Sequence, residues 1–452
     1  MGMRNITAPI GQHLVNLIEA LRQHLHDPAF RARHRIRPQD FTRKRSLTFP
    51  VVMLLILQKT VKSVQSHLQE FLAQVASESA LVTPGGWTQA RAKLKHTAFC
   101  ELNRDCVLPA AYQSDQAPGP RRWKGHRLLA IDSSLIRLPN SQDLVKAFGL
   151  ITVSNQNGDT GTEYPQARIS VLYDVLNRIG LDARMEPSTV GEIDLACDHL
   201  VHLVKWDVSL VDRGFTGYGL LASYVHANRD VVARCSTSSF LAARELFRLN
   251  RAGQSKRGWL YAPADQREAL LALGLPLQIE VRFVSLRLAT GELEVLVTTL
   301  LDETTYPTQD FKELYHYRWG METYYGALKG RLDLENFSGL TAEAVRQDFY
   351  AAVLLSNLES LLTGPANQIL TDHRSECKYP KQINRANSFH ALKMHVLDIL
   401  YHDTPAVEVV RKLQQLFLSN PVSVRKERIV PRSKTSFHRS YNFQRRVKKI
   451  VF

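Results

Sequence analysis

The chain has few cysteines and no long apolar run. Its five cysteines are odd in number and form no Cys-x-x-Cys pair, which argues against a disulfide framework and a zinc module and indicates free thiols in a reducing compartment. The apolar run at residues 51–57 is much too short to span a bilayer and predicts a core helix. The first residues have no apolar signal-peptide centre. We therefore expect a cytoplasmic protein outside the membrane.

The sequence also has no internal repeat and no long low-complexity segment, which argues against repeat architectures and compositionally biased chains. It has 452 residues, of which 44% are hydrophobic and 22% are charged. This composition is typical of a globular protein, and the length suggests two to three domains.

Positive charge is in excess and is concentrated in two segments. The net charge is +15. Residues 31–45 hold seven Lys/Arg and one Asp, and residues 425–452 hold ten Lys/Arg and one Glu, so these segments account for the whole excess. Basic stretches with interleaved Phe and Tyr suit nucleic acid, and no amphipathic anchor or lipidation signal indicates a membrane. The alternative is that both segments only aid solubility.

Apolar spacing divides the chain into helical and mixed segments. Residues 1–117 have mostly helical spacing, whereas strand-like and helix-like runs alternate from residue 127 to 236 and predict an α/β core with a mixed sheet. We expect five segments: an N-terminal helical DNA-binding domain (1–117), a first part of the core (118–236), a β-rich insertion (237–305), a second part of the core with one amphipathic helix (306–365), and a C-terminal helical region with a basic tail (366–452).

The segment YHYRWGMETYYGALKGRL at residues 315–332 places Tyr315, Arg318, Glu322 and Lys329 at steps of three, four and seven residues. Such steps return to nearly the same face of an α-helix, and apolar residues in the same register form a neighbouring face. One amphipathic helix is therefore predicted. Its polar stripe is either a solvated face with an Arg–Glu pair four residues apart or part of a site for metal and phosphates.

Two aspartates would complete such a site. Asp132 and Asp212 each end an apolar, strand-like run, in AIDSS and VDRGF, and so would emerge at an edge of a sheet. Either acid taken alone is more often a turn or helix-cap residue. Together with Glu322 they offer the oxygen ligands that Mg²⁺ prefers, and two such ions suit phosphoryl displacement.

The spacing Tyr315-x2-Arg318-x3-Glu322-x6-Lys329 resembles the Tyr-Arg-Glu-Lys signature of the insertion sequence 4 family of bacterial transposases. VDRGF at 211–215 is similar to the family's second-aspartate motif and AIDSS at 130–134 to the first, although Ser133 stands where relatives often have glycine. The similarity covers most of the chain, including FTRKRSLTFP at 41–50. It implies an α/β fold with a ribonuclease H-like mixed-sheet core and a β-rich insertion, flanked by N-terminal and C-terminal helices.

The resemblance also implies the site and its reaction. Asp132, Asp212 and Glu322 would be the catalytic and metal-binding residues, with Mg²⁺ as cofactor and Mn²⁺ as a substitute. Cut-and-paste transposition would begin with strand cleavage at the element's end and finish with attack of the 3′-ends on target DNA; several relatives pass through a hairpin. The residues expected to contact DNA are Tyr315, Arg318, Lys329, Arg213, Trp319, Trp259, Arg35, Arg37, Arg43, Lys44 and Arg45.

Trp319 and Trp259 have two interpretations, because each could stack on a flipped base or pack in the core. The implied partners are double-stranded DNA, at the transposon ends and the target, and a second copy of the chain, since two ends need two active sites. The protein would act on the bacterial nucleoid.

Three other functions remain as alternatives. A structure-selective ribonuclease H-like nuclease or resolvase fits the Tyr-Arg-Glu-Lys spacing and the insertion less well. An inactive, domesticated DNA-binding descendant would not need all three acids. A helix-turn-helix repressor would leave the α/β core without a role.

Overall fold

The structure is a computed structural model that describes residues 11–43, 45–60, 62–75, 81–113, 119–152, 163–372 and 378–425. The chain forms two compact units. The helical unit comprises residues 1–119, 137–166 and 327–452, and the sheet unit comprises residues 120–136 and 167–326. None of the helices formed by the described residues combines the length and apolar character that a bilayer crossing requires.

The α-helices are, in chain order, α1 (Gln12–His26), α2 (Pro28–His34), α3 (Phe49–Leu57), α4 (Val64–Val75), α5 (Pro84–Arg91), α6 (Thr97–Leu102), α7 (Leu108–Tyr112), α8 (Gln142–Phe148), α9 (Glu192–Asp198), α10 (Tyr218–His226), α11 (Leu241–Leu249), α12 (Arg267–Ala272), α13 (Asp310–His316), α14 (Gly320–Gly330), α15 (Ala342–Asp372), α16 (Arg385–Met394), α17 (Val396–Leu400) and α18 (Ala406–Leu418). A π-helical turn, Asn103–Val107, joins α6 to α7. Short 3₁₀ segments are His199–His202, Arg213–Phe215, Ala264–Gln266 and Tyr317–Trp319.

The strands are β1 (Arg127–Arg137), β2 (Leu150–Thr152), β3 (Glu163–Asp174), β4 (Ile179–Pro187), β5 (Asp207–Val211), β6 (Asp230–Arg234), β7 (Ser255–Tyr261), β8 (Gln278–Arg287), β9 (Leu293–Thr298), β10 (Lys381–Gln382) and β11 (Val422–Ser423). In the sheet unit the strand order is β3-β1-β5-β6-β9-β8-β7, with β4 also paired to β3. The strands β1, β5 and β6 are parallel, whereas β9, β8 and β7 continue antiparallel. The prediction of an α/β fold with a mixed sheet is confirmed.

In the helical unit, local sequence signals account for the helix ends. Asp27 caps α2 by accepting the backbone N–H groups of Ala29 and Phe30. The predicted apolar core helix is α3, whose residues are almost all buried. Proline and glycine in TPGG at 83–86 predict a break between two helices. The stretch instead begins α5, because the Thr83 hydroxyl accepts the Gly86 N–H and Pro84 fits the first turn.

Two apolar clusters cover the two faces of the sheet. Leu129 and Ile131 of β1 belong to the cluster that includes α10 and α11, whereas Leu128 belongs to the cluster that includes α13. Side chains alternate along a strand, so Asp132 follows the register of Leu128. Asp212 likewise follows Val208 and Leu210 of β5, which are in the same cluster as Leu128. The alternation therefore directs both acids to the face covered by α13.

Two strand predictions were wrong. The first strand does not end near Asp132 but runs on to Arg137, because the long strand β3 lies beside it after β5 has ended. The polar residues RAGQSKRGWLYAPADQ at 251–266 are rich in turn-forming types and predict a turn, but they contain β7, which pairs with β8. Because β7 is an edge strand with most side chains exposed, it has no apolar alternation for sequence analysis to detect.

Candidate active site

Asp132 is a half-buried acid in β1. Its Oδ1 accepts the backbone N–H of Ser133 at 2.8 Å. Burial raises the pKa of Asp132 to about 6, and the nearby carboxylates of Glu192 and Asp212 add to this, whereas Ser133 and Arg318 oppose it. Any further positive charge near Asp132 would therefore stabilise the charged form of its carboxylate.

Asp212 directly follows β5 and is also half-buried. The parallel strands β1 and β5 pair up to Ala130 and Leu210, and each aspartate lies two residues beyond that pair. Since neighbouring strands are about 4.8 Å apart, the two acids emerge at the same edge of the sheet. The structure therefore brings Asp132 and Asp212 together, as their positions in the sequence indicated.

Glu322 lies in the first turn of α14, with 38% of its side chain exposed. Its Oε1 is 3.5 Å from Nη2 of Arg318, whose guanidinium is almost completely buried. Burial alone would lower the pKa of Arg318, but Tyr315, Asp212, Glu322 and Asp132 outweigh it and raise that pKa. Arg318 is thus a cation within electrostatic reach of all three acids.

The donor chemistry of the three acids fits a hard divalent cation, which takes carboxylate oxygens as ligands. In the described part of the chain, no three or more His, Cys, Asp and Glu side chains are arranged so that they could hold a metal ion. Carboxylates that approach one another repel unless a cation lies between them, and in this structure Arg318 is a positive neighbour that the three acids share. The assignment of the three acids as metal ligands stays a prediction.

The other members of the Tyr-Arg-Glu-Lys spacing differ in environment. Tyr315 is only 3% exposed, and its hydroxyl donates to the backbone carbonyl of Val211 at 3.1 Å and lies 3.5 Å from Oδ1 of Asp212. Lys329 belongs to the helical unit, where its Nζ is 3.6 Å from Oε1 of Glu335. Contacts of these residues with DNA stay predictions.

The remaining predicted DNA contacts in the sheet unit are accessible. Arg213 is exposed in the 3₁₀ turn after Asp212. Trp319 is 44% and Trp259 54% exposed, so neither is a fully packed core residue. The Arg318 guanidinium lies over the Trp319 ring, 5.1 Å from its centroid. Trp319 also borders a cavity of about 400 Å³ that is lined in part by Glu294 and Tyr315.

The basic N-terminal segment is partly described. Arg37, Arg43 and Arg45 are exposed, whereas Arg35 is half-buried and pairs in a β-bridge with Leu94. Lys44 lies outside the described residues, as does the basic tail after Arg425.

An ion pair beside Asp132 was not predicted from the sequence. Arg168 of β3 forms a salt bridge with Glu192 at the start of α9, and both bond the Ser133 hydroxyl. Glu192 is also one of the charges that raise the pKa of Asp132. The one available signal was a charged residue, Arg168, inside the apolar strand ARISVLYD.

Three comparisons relate this chain to known proteins. The family model described as "Transposase DDE domain" matches residues 123–358. The chain is 22% identical over 364 residues to the transposase InsG for insertion sequence element IS4 of Escherichia coli (strain K12). The aligned region covers 78% of this chain and 76% of that protein. Among solved structures, the piggyBac transposase synaptic complex with hairpin DNA is similar with a TM-score of 0.41 and 10% identity, covering 91% of this chain and 86% of that one.

Proposed function

We propose, from the premise that this chain belongs to the transposase DDE domain family and is a DNA transposase, that Asp132, Asp212 and Glu322 are its catalytic acids. The enzyme performs phosphoryl transfer on DNA with divalent metal ions. The observation that carries the proposal is the position of Arg318, which lies 3.5 Å from Glu322 and whose charge acts on Asp132 and Asp212 at the edge where β1 and β5 meet. A buried cation near these acids is suited to oppose charge that develops on a phosphate.

The three carboxylates would hold Mg²⁺, with Mn²⁺ as a substitute. A bound divalent cation supplies Lewis acidity at the scissile phosphate. Arg318 offers a planar fork of donors for phosphate oxygens. Tyr315 anchors α13 to the strand end that carries Asp212, and Ser133 orients the Asp132 carboxylate through its N–H.

The fold of the sheet unit supports a ribonuclease H-like core as part of this proposal. Its central strands β1, β5 and β6 are parallel, and β3 and β4 form an antiparallel hairpin beside them. Residues 237–305 would be the β-rich insertion, whose strands extend the same sheet through β9. The other domain limits that we propose are 1–117, 118–236, 306–365 and 366–452.

DNA is the partner of this enzyme, and we infer that the ends of an insertion sequence and a target duplex are its substrates. Arg35, Arg37, Arg43 and Arg45 would neutralise phosphates of the end, and the exposed Trp319 and Trp259 would stack on an unpaired base. Two ends need two sites, so a homodimer forms when the ends are paired. Its place of action would be the bacterial cytoplasm, at the nucleoid.

Substitution of each acid by its amide tests the proposal. Asp132→Asn, Asp212→Asn and Glu322→Gln should each lower strand cleavage by on the order of 1,000-fold or more, because members of one catalytic unit fail together. Binding to the transposon end, measured by mobility shift, should remain. Glu268→Gln is the matched control, since Glu268 is an exposed acid on α12 of the same unit.

Each alternative has its own result in this assay. Cleavage of branched DNA without joining of 3′-ends to a target would favour the nuclease. End binding without any cleavage by the unaltered chain would favour the inactive descendant. Metal-dependent cleavage that persists in Asp212→Asn would reject the assignment of the acids.

A further inference from the structure

The backbone carbonyl of Asp132 takes hydrogen bonds from side chains. Pairing between β1 and β5 ends at Ala130 and Leu210, two residues before Asp132. The Asp132 carbonyl oxygen instead accepts the Tyr325 hydroxyl at 2.8 Å, and the Ser170 hydroxyl is 3.4 Å away. Backbone carbonyls in buried regions need hydrogen-bond donors. The Tyr325 and Ser170 side chains therefore help to fix the position of β1 at Asp132.

Tyr325 lies on α14, one turn after Glu322. Its side chain is buried, and its hydroxyl also lies 3.4 Å from the backbone carbonyl oxygen of Ile169. The shorter bond to the Asp132 carbonyl links the helix that carries Glu322 to the strand that carries Asp132.

Ser170 is the end of a second, buried chain of hydrogen bonds. Its hydroxyl is 3.0 Å from Nε2 of His199, and Nδ1 of His199 is 2.8 Å from Oδ2 of Asp182. A carboxylate only accepts hydrogen bonds, so Nδ1 carries a proton and the ring is fixed in orientation. A serine hydroxyl has one proton, so Ser170 donates to the Asp132 carbonyl when Nε2 is also protonated and donates to the serine oxygen. Burial would raise the pKa of Asp182, but His199, His202 and Arg184 outweigh it and lower that pKa, which keeps the carboxylate charged.

The Ser170–His199–Asp182 arrangement has the connectivity of a nucleophilic triad but cannot act as one. Ser170 is 1% and His199 0% exposed, so no substrate reaches the hydroxyl, and a nucleophile must touch its substrate. This chain of hydrogen bonds ends at the backbone carbonyl of Asp132, which also accepts the Tyr325 hydroxyl. The three residues therefore support the backbone of one catalytic acid.

We propose that Tyr325 and the buried Ser170–His199–Asp182 chain are positioning residues for Asp132, an inference that rests on Asp132 being a catalytic acid. Mg²⁺ requires near-ideal ligand geometry, so a small shift of the strand at Asp132 weakens metal binding. Groups that orient metal ligands typically change metal affinity or activity 10-fold to 100-fold when they are removed. The support acts on Asp132 and not on DNA.

The test compares Tyr325→Phe with Tyr324→Phe in the full chain. Both remove one hydroxyl from a buried tyrosine of α14, but Tyr324 stacks on Tyr173 and does not donate to Asp132. Mn²⁺ binding is measured by electron paramagnetic resonance, and cleavage is measured in single turnovers with Mg²⁺. Tyr325→Phe should lower both Mn²⁺ affinity and cleavage rate by roughly 10-fold to 100-fold, with end binding unchanged. The control should leave all three within about twofold, since the Asp132 carbonyl keeps its bond from Tyr325.

Ser170→Ala and Asp182→Asn test the second chain in the same way. The double variant should lose little more than either single one, because residues of one network act together. Asp132→Asn is the reference: if it keeps Mn²⁺ binding and cleavage, the assignment of the acid fails, independently of the support. If Asp132→Asn is inactive while Tyr325→Phe keeps wild-type Mn²⁺ affinity and rate, the positioning role is rejected. A lower melting temperature with unchanged Mn²⁺ affinity rejects it as well. Should Ser170→Ala not fold, Tyr325→Phe decides.

Discussion

The hydroxyl of Tyr315 lies 3.1 Å from the backbone carbonyl oxygen of Val211, the residue that precedes Asp212. Burial raises the pKa of Tyr315 far above its usual value, so this phenol is a permanent donor. The tyrosine of the Tyr-Arg-Glu-Lys spacing is therefore bonded inside the sheet unit, where it fixes α13 against the end of β5. A direct contact with DNA would require it to leave this partner.

Removal of this hydroxyl should affect stability and catalysis more than DNA affinity. In Tyr315→Phe the Val211 carbonyl loses a buried partner, so we expect the free energy of unfolding to fall by about 1 kcal/mol. Cleavage should also fall, because the anchor beside Asp212 is weakened. Urea denaturation, single-turnover cleavage and end binding measure the three effects.

Tyr317→Phe is the matched control for this change. Its hydroxyl bonds Glu313 at the surface, one turn away on the same segment, so stability and cleavage should be almost unchanged. A tenfold loss of end affinity in Tyr315→Phe, with unchanged stability, would instead support the contact with DNA.

The sequence predicted that Asp132 and Asp212 follow apolar strands, but it did not predict the interruption of the helix that carries Glu322. Period-two alternation and the apolar runs before Asp132 and Asp212 were local signals, and the structure has both acids at one sheet edge. The single helix predicted for 315–332 is interrupted by the 3₁₀ turn Tyr317–Trp319. A β-carbon on Gly320, directly after this turn, would lie 3.4 Å from the Val175 side chain. The glycine therefore packs closely against Val175, and this tertiary contact is not visible in the helical spacing of the sequence.

Long-range polar contacts had no counterpart in the sequence pattern. The Ser170–His199 bond joins residues 29 positions apart and the Tyr325–Asp132 bond joins residues 193 positions apart. Neither separation follows the repeat of a helix or a strand, because loops of any length can bring distant residues together. Helix and strand spacing therefore indicated the candidate acids, whereas the residues that contact them could be found only from the fold.

Salt dependence of end binding should identify the phosphate contacts of the N-terminal segment. Each phosphate contact contributes about 0.9 to the slope of log affinity against log salt concentration. Replacing the exposed Arg43 and Arg45 by alanine should therefore lower the slope by about 2. Arg104→Ala is the control, since Arg104 is exposed but bonded to Asp105 at 2.6 and 2.8 Å. An equal slope in the double variant and the unaltered chain would place the phosphate contacts elsewhere.

A buried ion pair should make the helical unit sensitive to acid. Asp348 is completely buried, with its Oδ1 2.8 Å from Nη2 of Arg91 and its Oδ2 3.9 Å from Nζ of Lys59. Burial alone would raise the pKa of Asp348, but the two cations, together with hydrogen bonds from Ser338, outweigh it and the pKa lies below its ordinary value of 3.8. Since the folded state holds this proton more weakly than the unfolded state, the pair stabilises the fold above about pH 4, and this stability is lost as the pH falls through the folded pKa.

Asp348→Asn should consequently lower the free energy of unfolding by about 3 to 5 kcal/mol at pH 7, with a smaller difference below pH 4. Asp105→Asn serves as a surface control, and because its partner Arg104 is largely exposed the cost should not exceed about 1 kcal/mol. Denaturant titrations at several pH values measure both. A difference for Asp348→Asn that is constant with pH would show that the carboxylate charge is not what stabilises the fold.

Cleavage in trans is the strongest test of the proposed homodimer. A transposon has two ends, and a pair of identical subunits is the simplest closed assembly with two sites. If each subunit binds one end and cuts the other, a lone end stays intact until both are paired. A Glu322→Gln subunit binds but cannot cut, and a subunit with Arg43→Ala and Arg45→Ala keeps its three acids but binds poorly. Their mixture should cut ends that neither protein cuts alone.

The mixing ratio separates cleavage in trans from simple rescue of binding. Random pairing of two subunit types gives mixed dimers in greatest number at equal amounts, so activity should peak there and fall on either side. Activity that rises in proportion to the Arg43→Ala and Arg45→Ala subunit alone would mean that each subunit cuts the end it binds. No activity at any ratio, from folded proteins that assemble together on paired ends, would reject cleavage in trans, since the mixed dimer then holds one intact set of Asp132, Asp212 and Glu322 that is not used.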